Sequence, residues 1–549
     1  MKKTLLITFL LVGAILCSGQ TIRDSMLTYK AEYDQDGKLL SWYKPETPGA
    51  GYDRVVDLAS EFLLNCPVEP STNMPLYMIY TWFPSPDLIG RDNFEKGNIY
   101  CPDGHTPACT FANFVQSLAV KYYAYTGNRE YVDLVKFCLD HLIEHGTTPD
   151  DPKWAWNGVP YASANPKSTE YWGATHWGVG GRNDGPFVIE GDKVGEMGIA
   201  YLDFYKVLPE EKYLDAAIKC ADALAKNCRF FKLTKPLVTK EPFISPWPFR
   251  ASAENGQVHE GYTANVIFGI RLFDELIRLK DQLDLSEEKL AEYTKTRDYV
   301  WDWLYSIKGP MRTFVWKGYF EDMPNDIYNH NRVQNIPLET ARYLLEKPGS
   351  DNNMEVRIPA LIYWVASVFE TENNDGIKEQ TACYWAMGSH TARYASLCAM
   401  WYEQSGNPWF KEQAFRFFNW ATYVCDEHGH VRVGPDFPPP QYWFTDGYGD
   451  YIRHFLDGMA AIPEWAPRDE NHLLKSTSVV SDIAYADKFI EYTTFDANSS
   501  EIFRLVSKPK SVSVNGNKLK ADEYSWEKMD KGGVLRLSTN KGSNRVIQL

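Results

Sequence analysis

Two stretches set carboxylates and a glycine at the start of a helix in the same pattern: DKVGEMGIAYLD (192–203) and DGYGDYIRHFLD (446–457). Both read Asp-x-x-Gly-acid and close on Leu-Asp. At 100° per residue, Asp446, Asp450, His454 and Asp457 fall on one side of a helix, with Ile452, Phe455, Leu456 and Met459 on the other. Asp192, Glu196 and Asp203 share a side in the same way. Paired carboxylates are the equipment of glycoside hydrolysis, where one protonates the leaving oxygen and the other acts as base or nucleophile. N-capping and a solvated face are the plainer account of Asp192, Asp203, Asp446 and Asp457. Glu196 and Asp450 are then the candidate catalytic pair. Gly447 and Gly449 fit a rim where a sugar approaches the backbone, with Asp446 and Tyr448 as substrate contacts.

Three further clusters carry reactive side chains. The stretch YWGATHWGVGGRNDGPFVIEGD (171–192) holds six glycines with His176, Trp177, Arg182 and Asp184. Aromatic rings stack on the apolar face of a pyranose and a guanidinium forks onto a carboxylate, so it reads as a substrate-gripping loop; a plain surface excursion is the alternative. RASAENGQVHEGYTAN (250–265) adds Glu260 and His259 to the catalytic candidates and Glu254 and Tyr262 to the substrate contacts, although His259 equally fits a surface histidine. YNHNRVQN (328–335) offers Arg332 as a second carboxylate holder. A Tyr/His pair, His259 with Tyr262 or Tyr448, is the equipment of a different reaction, abstraction of a proton beside a uronate carboxylate.

What must position these groups is a set of helices. Helical periodicity predicts twelve: 52–64, 107–127, 129–146, 191–208, 210–227, 259–281, 287–308, 337–347, 354–370, 380–404, 408–426 and 446–461. The segments YYAYTGNREYVDLV (122–135) and WYEQSGNPWFKEQA (401–414) align through a shared Gly-Asn turn, the mark of one repeated unit. Connections within pairs are short, whereas those between pairs are long: 147–190, 228–258, 309–336, 371–379 and 427–445. In a ring of six hairpins every long loop falls at one end, where the even-numbered helices begin, and long ordered loops are usually functional. The expected fold is mainly α, an (α/α)6 toroid over 20–470. Short alternating segments with an Asn-Gly turn at 515–516 predict a small C-terminal β-sandwich domain over 471–549.

Bulk composition narrows the partners. A net charge of −15 argues against nucleic acid and anionic membrane surfaces. Residues 1–19, MKKTLLITFLLVGAILCSG, have the layout of a secretory signal peptide, so a periplasmic or secreted protein is expected; Ala14, Ile15 and Leu16 fit poorly before a lipidated Cys17. No later stretch has the length of apolar sequence a membrane span requires. The cysteines show no close pairing and several sit in apolar helical patterns, which predicts buried thiols. No zinc, calcium or phosphate-binding motif is present, so no metal and no cofactor is expected.

With these residues in place, the chain resembles the six-hairpin glycosidases of gut Bacteroidetes. WFTDGYGDYIRHFLDGMAAIPEWAP, followed by NHLLKSTSVV, is most similar to glycoside hydrolase family 154. The resemblance implies an (α/α)6 barrel and exo-acting β-glucuronidase activity on a uronic-acid-containing oligosaccharide or polysaccharide of plant or host origin. The residues themselves leave two alternatives: a polysaccharide lyase working by Tyr/His β-elimination, and a non-catalytic glycan-binding protein.

Overall fold

A helix buried on every side has to be enclosed by other helices, and the segment Gly191–Val207 is such a helix: only Asp203 and Tyr205 escape burial along it. The computed structural model describes residues 29–66, 68, 72–75, 82–83, 107–162, 187–234, 243–319, 323, 326, 328–371, 376–383, 386–432, 434, 442–443 and 448–549. The leader-like residues 1–19, and His176, Trp177, Arg182, Asp184 and Asp446, lie outside the described residues.

Twelve long helices stand among the described residues. They are α1 (Ala50–Leu64), α2 (Pro107–Phe114, Val115–Tyr122 and Tyr123–Thr126, run together), α3 (Glu130–His145), α4 (Gly191–Val207), α5 (Glu211–Lys226), α6 (Ile267–Arg278), α7 (Glu287–Tyr305), α8 (Asn335–Glu346), α9 (Met354–Phe369), α10 (Gly388–Ser405), α11 (Pro408–Thr422) and α12 (Tyr448–Ala461). The even-numbered helices contact one another in order, and α12 returns to α2, closing an inner ring. The odd-numbered helices clad it, α3 on α2, α5 on α4, α7 on α6, α9 on α8, α11 on α10 and α1 on α12. This is the expected (α/α)6 toroid. The middle of α2, Val115–Tyr122, is π-helical.

The repeated Gly-Asn turn has a plain physical reading. Gly127 and Gly406 end α2 and α10 in the left-handed region, at φ 76° and 67°, where a side chain is strained. The asparagine that follows starts the next helix: Asn128 Oδ1 accepts from Glu130 N at 3.0 Å and Asn407 Oδ1 from Trp409 N at 3.1 Å. Two boundaries differ from expectation. Helix α6 begins at Ile267, because Val258–Glu260 pairs with Arg250–Ser252, and that strand with Val188–Glu190, in a three-stranded antiparallel sheet. Helix α10 begins at Gly388, after a short bridged segment.

The interior of the ring is ionic along its length. Lys206 pairs with Asp203 at 2.9 Å and Glu275 at 2.7 Å, Gln116 donates to Asp203 at 2.8 Å, and Asp457 takes Lys121 at 2.6 Å together with Arg342. Asp203 and Asp457 are therefore struts between inner helices, not a solvated face. Between His472 and Gln548 nine strands form antiparallel sheets of five and four. They contact the barrel where inner helices finish: His472 stacks on Tyr125 and donates to its carbonyl at 2.9 Å, Tyr485 donates to Ala124 O at 2.7 Å, Arg278 pairs with Asp496 at 2.8 Å and Lys475 with Glu403 at 3.1 Å. The opposite end is thereby left for chemistry. All seven cysteines among the described residues are free thiols, five of them buried.

Candidate active site

Every inner helix contributes residues from its first two turns, or from just before it, to one cavity. Asn113 comes from α2, Lys193 and Glu196 from α4, Asn265 and Phe268 from the start of α6, Asn335 and Glu339 from α8, His390 and Arg393 from α10, and Asp450 and Arg453 from α12. Tyr319 enters from the segment before α8, its backbone N–H donating to Gln380 Oε1 at 2.7 Å and its hydroxyl accepting from Asn335 at 2.8 Å.

The shared Asp-x-x-Gly-acid pattern acquires a structural meaning here. A Cβ on Gly195 would stand 2.8 Å from Gly269 N, and one on Gly449 would stand 3.0 Å from the Asn113 carbonyl. Each glycine lets an inner helix press against the backbone of its neighbour, and the acid that follows is carried to the cavity. Gly449 thus serves helix packing; the expectation that it lets a sugar approach the backbone is corrected.

Asp450 sits between two guanidiniums, Arg453 donating to Oδ1 at 2.7 Å and Arg393 pairing with Oδ2. Glu339 accepts from Arg453 at 2.9 Å and lies 3.4 Å from both Arg342 and Arg393. Burial opposes its charge, yet the arginines around it hold its carboxyl down at about 2. Glu196 takes Lys193 at 3.2 Å. Behind Lys193, burial raises the Asp192 carboxyl to about 7, with Glu190 and Glu196 adding and Lys193 and Asn265 opposing. His454, fully buried under Asp450, is held well below the usual histidine range by burial and by Arg453, Arg342 and Arg393.

Side-chain charges on the lining cancel: Lys193, Arg393 and Arg453 stand against Glu196, Glu339 and Asp450. The sign of the cavity therefore falls to the helices. Five N-termini, those of α4, α6, α8, α10 and α12, converge on it, and each carries roughly half a positive charge, so an anionic group is favoured there despite the negative charge of the whole chain.

Of the residues expected from sequence, the structure brings Glu196 and Asp450 together and leaves others outside the cavity lining. Glu260 is on the three-stranded sheet and pairs with Lys317 at 3.2 Å. His259, half-buried on the same strand, and Glu254, exposed in the turn before it, are likewise not lining residues. Tyr262 is buried and its hydroxyl donates to Val315 O at 2.6 Å, which makes it a core anchor rather than a substrate contact. The Arg332 guanidinium donates to the carbonyls of Phe314 at 3.1 Å and Asn331 at 3.2 Å, so it staples a loop. Tyr448 is the first residue of α12. Glu339, His390, Arg393, Arg453, Asn265 and Tyr319 were not anticipated. The signal that finds the helical ones is position at the start of an even-numbered helix; placing α10 at 380 instead of 388 and α6 at 259 instead of 267 moved that position onto the wrong residues.

No family model matches the chain, and no curated protein matches it significantly. Solved structures do. A D-mannose isomerase aligns over 75% of this chain and 96% of its own at 10% identity, with a TM-score of 0.51. A sugar epimerase from a ruminal bacterium aligns over 74% and 98% at 10% identity and a TM-score of 0.48. A family 88 glycosyl hydrolase from Bacteroides vulgatus covers 76% and 100% at 11% identity and 0.40. The likeness is one of fold, the (α/α)6 toroid.

Proposed function

We propose that this protein is an exported glycoside hydrolase, like the family 154 enzymes its last inner helix resembles, that releases a uronic acid from the end of a complex plant or host glycan. The observation that carries this reading is the meeting of Glu196 and Asp450 from two inner helices on one cavity ringed by helix N-termini. Carboxylates in such a pair supply the acid and the base or nucleophile of glycosidic cleavage. Asp450, an anion between two guanidiniums, suits the second role, which leaves the first to Glu196. Glu339 is too tightly held as an anion to donate. The positive sign left by the helix ends supports a substrate carboxylate, and the leader-like residues 1–19 support export.

The test is incubation with glucuronate-capped oligosaccharides. Saturated glucuronate is expected as product, and Glu196→Gln or Asp450→Asn should each lower kcat by about 10²- to 10⁴-fold with little change in KM. A second reading has one observation in its favour: Tyr319 and His390 line the same cavity, a Tyr/His pair of the kind β-elimination uses. An unsaturated product absorbing in the ultraviolet would decide for that lyase. Binding of the glycan without cleavage by the parent protein would decide for a glycan-binding role.

A further inference from the structure

The mechanism above leaves His454 unused, although it is wholly buried beneath the cavity one helical turn from Asp450. Its Nδ1 lies 3.0 Å from the Arg342 guanidinium. Arginine only donates, so this nitrogen accepts and carries no proton. Ser396, 3.3 Å from the same nitrogen, does not compete: its hydroxyl proton goes to Arg393 O at 2.7 Å, and its oxygen accepts from Arg342 at 2.7 Å. The neutral ring must then hold its proton on Nε2. A charged ring is opposed by burial and by Arg453, Arg342 and Arg393, with His390 adding to them. That Nε2 has no hydrogen-bond partner among the described residues and lies 3.7 Å from Asp450 Oδ1, just beyond hydrogen-bond length.

The geometry points to His454 as a positioning residue for Asp450, its Nε2–H closing onto Oδ1 so that Oδ2 is the oxygen left to react. A carboxylate oxygen has two lone-pair sites. Oδ1 already accepts from Arg453, and closure of His454 from 3.7 Å would fill its second site; Oδ2 pairs with Arg393 and has no other partner among the described residues. Charged neighbours on the other packed elements are Glu339 and Arg342 of α8 and Arg393 of α10, each already paired. The inference rests on Asp450 being the base or nucleophile of the proposed hydrolysis.

Two measurements on the full-length protein test it. With ¹⁵N-labelled histidine, NMR should show His454 as a neutral Nε2–H tautomer through the acidic and neutral range, with its Nε2 resonance moved by Asp450→Asn. A proton on Nδ1, or a ring that titrates there, overturns the assignment whether or not the protein cleaves a glycan. In the activity profile, His454→Leu removes a donor to the carboxylate, so the acidic limb of kcat/KM should move up by about one pH unit. His454→Gln, which keeps an N–H at the Nε2 position, should restore the limb toward the parent. A limb equally placed in parent, Leu and Gln proteins overturns the inference while leaving the hydrolase reading intact; absence of uronate release by the parent, with the NMR result as expected, does the reverse.

Discussion

A single buried carboxyl behind the cavity sets a pH signature for the whole fold. Asp192 is enclosed at the start of α4, Lys193 N donating to Oδ1 at 3.0 Å and Asn265 Nδ2 reaching Oδ2 at 3.4 Å. Burial first, then Glu190 and Glu196, raise its carboxyl from the ordinary 3.8 to about 7. The native chain therefore keeps a proton that the unfolded chain releases. Its stabilising contribution is complete below the unfolded value and is lost as pH rises through about 7. Asp192→Asn is neutral at every pH, so the parent should lose stability relative to this variant between those two values. Melting temperatures of both proteins across that range check the expectation, and a gap that is constant or that widens toward acid refutes it. Glu339 and Asp457, each held at about 2, have the opposite sign: their contributions are present above the ordinary carboxylate range and are lost as pH falls toward 2.

Between elements, the close approach of inner helices decides where the acids stand. Gly449 faces the backbone of Asn113 and Ser117 Oγ at 3.0 Å from where a Cβ would lie. A methyl group there has to push α12 off α2, and Asp450 is the next residue. Gly449→Ala should cost about 1–3 kcal/mol of stability and lower kcat as well, since a small displacement of a catalytic group is expensive; denaturant titration and kinetics on one preparation measure both. Unchanged kcat in a destabilised protein would mean that the acid is placed by its arginines alone. The count of helices, their alternation and the end that carries the site were all legible, because 3.6-residue periodicity and loop length survive without any tertiary knowledge. Glu196 and Asp450 were legible because a glycine before an acid repeats in two inner helices. Glu260, Tyr262 and Arg332 were misjudged for one reason: a three-stranded sheet and a bridged loop occupy chain that looked helical or free, and Tyr262 and Arg332 hold those segments in place through backbone carbonyls. Arg393 and Arg453 were hidden because their role is to pair with Glu339 and Asp450 across helices, and single-sequence patterns do not reveal partners distant along the chain.

At the scale of the whole molecule two fields of opposite sign act on an acidic substrate. The chain carries a net charge of −15, which repels an anionic glycan at long range. Inside the cavity three cations and three carboxylates cancel, and five helix N-termini leave a short-range attraction. Salt separates the two, because the Debye length is about 30 Å at 0.01 M and about 8 Å at 0.15 M, while groups enclosed by protein are screened far less. Raising ionic strength over that interval should therefore weaken the repulsion and spare the attraction. For a uronate-capped oligosaccharide kcat/KM is expected to rise with salt, with kcat nearly constant. An otherwise matched substrate with a neutral terminal sugar should show no such rise. If kcat/KM for the uronate substrate falls with salt instead, attraction extends beyond the mouth, and the charged surface around the cavity, not the ring of helix ends, governs how the substrate arrives.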